Sequence, residues 1–275
     1  METYQNGANA VLSQLDGETT DNLIASAIKT LPKSAVAEVM PVVKTKGPTS
    51  QWVEPYFDTY NPTGKIEFLS SPVDMYDVSN TRKNMRFTSN AVEDLVRMYT
   101  PEAFSATLHG WVLFQKNSQQ RDELVKVLQS AEVSGVPENA TIPNVVNTTQ
   151  EDVYEFIQDQ VMRVIAEIEK DYQLGNVHFS VVGPYDIAYP MMRLKAQMGR
   201  LHYMCDDRLD RIYVFPTGDA AMSRAGLSIF EYADEVQKAI DSETGDLSYW
   251  VYNRSVIIVN PCHKRKPIIR NIKVS

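Results

Sequence analysis

The densest group of side chains able to do chemistry is Cys205, Asp206, Asp207 and Asp210, with His202 just upstream. Carboxylate oxygens and an imidazole nitrogen are donors that a divalent ion accepts, and such an ion would make this stretch a metal-dependent hydrolase site. The spacing does not match a calcium loop, so a solvated loop is the simpler reading. Cys262 and His263 set a thiol beside a base, but neighbours on a strand project to opposite faces, and the pair reads as a strand end. His109 falls in mid-helix and His178 at the start of a strand, and both read as partnered structural histidines. The sequence holds no phosphate-cradling glycine run, no serine nucleophile elbow and no two-histidine metalloprotease helix. No catalytic residue, cofactor or resident metal is expected.

Composition narrows the class further. With 275 residues, 43% hydrophobic and 9% aromatic, the chain can bury a sizeable core. Its 35 acidic against 27 basic residues give a net charge of −8, which disfavours a surface built to grip nucleic acid. Contact with DNA should be loose. The basic run His263-Lys264-Arg265-Lys266 with Arg270 and Lys273 suits either a polyanion contact or a solvated C-terminal tail. Two cysteines indicate no disulfide framework, and no run approaches the ~18 apolar residues of a membrane span. A soluble protein of a reducing compartment is expected.

The elements that must position these groups centre on residues 148–184. Thr148 and Glu151 have capping-box spacing, and Val153, Phe156, Ile157, Val161, Val164, Ile165, Ile168 and Tyr172 recur at three- and four-residue steps. Gly175-Asn176 stops that helix, and Val177–Val182 reads as a buried strand closed by Gly183-Pro184. Upstream, residues 1–20 are polar and weakly patterned, and a short helix is predicted from Asp21 to Leu31. A second capping box at Asn90 and Glu93 opens another short helix. Thr100-Pro101 then begins a helix of about thirty residues, ~45 Å long at 1.5 Å per residue, with a possible break at Gly110 or Asn117. Ser134–Asn147 is predicted as a loop. A helix over 185–198, strands over 211–215 and 227–232, a turn at 242–246 and an apolar strand over 255–260 complete the pattern.

Between the first helices, residues 32–88 are broken by Pro41, Pro48, Pro55, Pro62 and Pro72 yet carry Trp52, Tyr56, Phe57, Tyr60 and Phe68. A proline-spaced segment suits edge strands or an extended arm, and so many aromatics must pack either on their own domain or on a neighbouring molecule.

Leu31-Pro32 with the apolar run through Val36 and Val39, then Gly47-Pro48-Thr49 ahead of Gln51-Trp52-Val53, resembles the N-terminal signature of tailed-phage major capsid proteins of the T-even type. Arg86-Phe87-Thr88-Ser89, Glu93-Asp94-Leu95 and Met98-Tyr99 before the long helix are similar to their approach to the spine helix. The strand at 177–182 with its following helix, Ala225-Gly226-Leu227 through Tyr232, and Tyr249 to Pro261 agree in order, so the resemblance covers most of residues 31–261. The stretch from Gln51 to Arg86 is far shorter than in the large T-even shell proteins. The resemblance implies an α+β Hong Kong 97-type capsid fold. Its parts would be an N-terminal arm (1–50), an extended loop (51–88), a peripheral domain with the spine helix (89–174), an axial domain (175–248) and a C-terminal strand returning to the peripheral domain (249–275). It implies hexameric and pentameric capsomeres of this chain, portal and scaffolding partners, packaged double-stranded DNA, no membrane, and a virion capsid assembled in the host cytoplasm. On that basis Trp52, Tyr56, Phe57, Tyr60 and Phe68 should dock on the next subunit near Phe104, Leu108 and Trp111. A nanocompartment shell of the same fold, holding cargo enzymes, is the related alternative, and the hydrolase a remote one.

Overall fold

The computed structural model describes residues 22, 26–27, 29–30, 32–45, 49–56, 67–74, 85–88, 101–130, 133, 138–140, 149–172, 177–217, 225–240, 247–260 and 268–274. In chain order these form α1 (Val36–Val39), β1 (Val42–Thr45), β2 (Thr49–Tyr56), β3 (Glu67–Asp74), β4 (Met85–Thr88), α2 (Pro101–Gln129) and β5 (Glu138–Ala140). They continue as α3 (Gln150–Tyr172), β6 (Phe179–Gly183), α4 (Ala188–Met198), β7 (Leu201–Cys205), β8 (Ile212–Pro216), β9 (Leu227–Ile240), β10 (Leu247–Val259) and β11 (Arg270–Val274).

The start of α3 is fixed one residue later than the spacing suggested. Thr149, not Thr148, is the cap: its hydroxyl accepts the Asp152 N–H at 3.2 Å, while the Asp152 carboxylate accepts the Thr149 N–H at 2.6 Å. The Thr149 hydroxyl also donates to that carboxylate, which lowers the Asp152 pKa. Adjacent threonines and adjacent acids offer two registers for one reciprocal pattern, and the later one is taken. The apolar face is as periodicity predicts, with Ile157, Val161, Val164, Ile165 and Ile168 all buried.

That face lies on a five-stranded sheet of order β5-β11-β8-β6-β7. Period-two alternation sends Phe179, Val181, Ile212 and Val214 towards α3 and α4. Val182, Met204, Tyr213 and Phe215 go to a second core with α1 and the end of α2. Both faces are covered, which is why β6 and β8 read as continuous apolar runs. Between β6 and α4 the chain turns through a short 3₁₀ segment, Tyr185–Ile187, so the expected single helix from 185 begins tighter than an α-helix. Gly183 permits this turn, because a Cβ there would stand 2.9 Å from Ile187 Cδ1 and 3.2 Å from the Arg211 carbonyl. Gly199, at φ +68, ends α4 in the left-handed conformation.

The second sheet has the order β1-β9-β10-β4. β9 and β10 form the long antiparallel ribbon that the turn signal at 242–246 anticipated, although the turn residues lie outside the described ones. β1 adds in parallel along Ile229–Tyr232. α2 is continuous from Pro101 to Gln129 with no break at Gly110 or Asn117, and its last third buries Leu124, Val125 and Leu128 between the sheets. The predicted helix after Asn90 and the polar residues 1–20 lie outside the described residues. Of the helix predicted over 21–31, residues 22, 26–27 and 29 are helical, and Ala27 is buried.

Two expectations are corrected. The loop over 134–147 contains β5, paired in parallel with β11. The C-terminal tail is not simply solvated: Ile268, Ile269 and Ile272 are buried, β11 pairs with β8, and Arg270 bonds Asp171 at 2.7 Å. α3 belongs with the five-stranded sheet rather than with α2, and residues 249–275 divide between the two sheets. The 1–50 segment is likewise not all arm, since Val36, Val39 and Met40 are buried in the second core.

Candidate assembly surface

β2 and β3 pair only with each other among the described strands, in a register that sets Trp52 opposite Ser71, Pro55 opposite Phe68 and Tyr56 opposite Glu67. Pro55 and Pro72 fit a ribbon that joins no larger sheet among the described residues: each removes a ladder donor, which only an edge strand tolerates. An isolated two-stranded ribbon is marginal in water, so this one calls for a surface to lie on. Trp52, Tyr56 and Phe68 are thus brought into one ribbon, while Phe57 and Tyr60 lie outside the described residues.

The other half of the expected contact is α2. Phe104, Leu108 and Trp111 occupy one stripe of it by helical spacing. Leu108, however, is 2% exposed in the single chain, so it serves the protomer's own packing and is removed from the set of docking residues. Sequence reasoning missed Phe114, which is 71% exposed on the same helix. The signal was present, because Phe114 closes the run Trp111-Val112-Leu113-Phe114 and cannot share the buried face of Val112. Tyr185, Tyr189 and Met192 are exposed near α4 as well, and Tyr185 and Tyr189 border a groove of about 730 Å³ that Tyr154 and Ile187 also line.

Polar groups add to the apolar packing that holds α2 to its own protomer. Lys116 and Glu231 form a buried ion pair, and Lys44 of β1 takes the second Glu231 oxygen. Ser34 donates to Gln120, and the Ala35 N–H donates to Asn117 Oδ1 at 2.7 Å. His109 meets the Ala27 carbonyl at 2.6 Å, so it is a partnered structural histidine as expected. Near the other end, Arg208 grips both Asp206 oxygens at 2.8 Å and reaches Asp122 at 2.6 Å, while Arg121 donates to the Cys205 carbonyl at 2.6 Å.

Glu123 caps the ribbon's edge. Its Oε1 accepts the Ile257 N–H of β10 at 2.9 Å, whereas its Oε2 is buried without a hydrogen-bond partner. Burial pushes its pKa up to about 7, against the smaller opposing pull of the Ile257 N–H and Lys126. A carboxyl whose folded pKa lies above its unfolded value loses stability as pH rises from the unfolded pKa to the folded one, here from about 4.5 to 7. Glu123→Gln keeps the acceptor and removes the charge. The variant should therefore melt several degrees above the parent at pH 8, equivalent to about 3 kcal/mol. The advantage should vanish near pH 4.5 in calorimetry, and an equal difference at both pH values would refute the assignment.

The hydrolase cluster is not assembled. Asp206 is buried and committed to Arg208 and Arg121, and the Arg208 hydrogen bonds hold its pKa below the usual carboxylate range. It is thus an ion-paired anchor rather than the expected solvated-loop residue. Asp207 is exposed, Asp210 lies 3.8 Å from both Arg211 and Lys273, and His202 turns to His178. Among the described residues no three His, Cys, Asp or Glu side chains gather as metal donors. Burial raises the Cys205 thiol pKa, which suits a small core side chain. Cys262 and His263 lie outside the described residues.

No protein-family model and no curated protein matches this sequence. Solved structures do match in shape. The virus-like particle protein of Pyrococcus furiosus aligns over 93% of this chain and 98% of its own, with a TM-score of 0.53 at 10% identity. A phage-related protein of Bordetella bronchiseptica RB50 aligns over 92% of this chain and 96% of its own, with a TM-score of 0.54 at 9% identity. This is the Hong Kong 97-type capsid fold. At about one-tenth identity the likeness carries the fold, and the T-even subtype remains an expectation of the short motifs.

Proposed function

We propose that the chain is a shell-forming protein, the major capsid protein of a tailed phage, whose copies close as hexamers and pentamers around double-stranded DNA. The observation that carries this reading is the β2–β3 ribbon, which pairs with no other described strand and holds Trp52, Tyr56 and Phe68. It docks on the next subunit's spine helix, around Phe104, Trp111 and the exposed Phe114. Negative-stain imaging of the purified chain tests the reading: closed shells, tubes or capsomere rings are expected, and a monodisperse monomer at all concentrations overturns it. Portal and scaffolding proteins would join this assembly in the host cytoplasm.

The acidic balance favours one second reading, a nanocompartment shell that encloses protein cargo instead of a genome. The net charge is −8, and Arg121, Arg193, Arg200, Arg208 and Arg270 all face carboxylates. Under either reading unassembled protomers should hold duplex DNA weakly in filter binding and release it at moderate salt, because a net charge of −8 disfavours contact with a polyanion. Tight, salt-resistant binding would contradict both. Particles purified from the native source and enriched in nuclease-protected DNA favour the phage shell, and particles filled with one protein favour the compartment.

A further inference from the structure

His178 and His202 meet on one face of the five-stranded sheet, away from every contact invoked above. β6 and β7 run parallel with Ser180 opposite His202, so His178, one residue before β6, lies on the same side of the sheet as His202. His178 Nδ1 is 3.3 Å from His202 Nε2, and the rings are nearly parallel with centroids 5.5 Å apart. Both residues are half-buried, and β7 is the last strand of its sheet, so the pair sits at a rim that water can reach.

Two imidazole nitrogens that both bind one tetrahedral ion at about 2.0–2.1 Å stand about 3.3–3.4 Å apart. The observed separation already has that value. Without an ion one ring donates its N–H to the other; a small turn of each ring aims both lone pairs at a common point. The charge of Arg200, just before β7, is offset by Glu169 at 2.9 Å.

We propose that His178 and His202 form a two-histidine chelate for a divalent transition-metal ion on the rim of the five-stranded sheet, with water in the remaining positions. Paired imidazoles select copper, nickel and zinc over magnesium and calcium, and the Irving–Williams order puts copper tightest. The inference is independent of shell assembly, since both ligands come from one chain.

The test is calorimetric titration of the untagged full chain with copper(II), nickel(II), zinc(II) and magnesium(II). One copper ion per chain is expected, with weaker nickel and zinc and no magnesium. His178→Gln and His202→Gln, each checked by circular dichroism, should both lose that site, whereas His263→Gln should keep it. Copper binding that survives both the His178 and the His202 substitution, or that disappears with His263→Gln, overturns the proposal, as does an absence of copper binding by the parent. Both nitrogens should also leave the free-imidazole region of a histidine-resolved NMR spectrum on zinc addition. Retention of either free signal at saturation counts against a shared ion.

Discussion

Replacing Trp52 and Phe57 together by serine is expected to abolish particles and leave a monomer that still melts cooperatively. Trp52 lies in β2, on the ribbon that pairs with no other described strand, and Phe57 is the next residue in the sequence after that strand. A protomer gains little from a two-stranded ribbon, which makes folding insensitive to its side chains. Assembly has the opposite sensitivity, because interface anchors are typically aromatic. At about 1.5–3 kcal/mol per buried apolar side chain, the pair accounts for roughly 3–5 kcal/mol of contact in each interface, and a shell repeats that interface many times. Analytical ultracentrifugation and thermal melting decide the outcome. A normal particle yield would dismiss the contact, and loss of cooperative melting would assign these aromatics to the protomer's own core. Phe114→Ser supplies the reciprocal test on α2.

The second large effect is expected where α3 packs on the five-stranded sheet. Ile165→Asp places a carboxylate among Val161, Ile168, Val181 and Val214, where Ile165 is 1% exposed. An unpaired buried charge costs several kcal/mol, a large share of a typical domain stability of about 5–15 kcal/mol. Insoluble expression should follow. Met162→Asp on the same helix, where the parent residue is 39% exposed, should remain soluble. A soluble Ile165→Asp variant with native circular dichroism would show that α3 presents a different face.

α3 was legible in the sequence because its periodicity, cap and stop agreed, and β6 because its run was short and wholly apolar. The length of α2 was legible too, from Thr100-Pro101 onward. How the parts group was not, since an apolar helix face specifies that it must be covered but not by which sheet. β11 was obscured by its surroundings: Lys264-Arg265-Lys266 dominated a tail in which Ile268 and Ile269 are buried just before the strand and Ile272 within it. Lys116 and Asp206 were unreadable for a related reason. Charged residues are ordinarily solvated, and only tertiary contact reveals the partners that let these two be buried. Within the aromatic segment Thr49–Tyr56 and Glu67–Asp74 are strands, and the partition of its aromatics between protomer and neighbour depends on which elements lie beside them.

The long ribbon has one irregularity, a register shift between Asn253 and Arg254 that leaves one extra residue on the β9 side. Such a bulge bends and overtwists the pair. β4 covers the outer edge of β10 only along Ser248–Val251, and further on the Glu123 carboxylate occupies the Ile257 N–H. A straight, bare edge of this length would be a template for head-to-tail strand addition without closure. The bend and the carboxylate together interrupt that template, which steers the chain away from amyloid-like fibres.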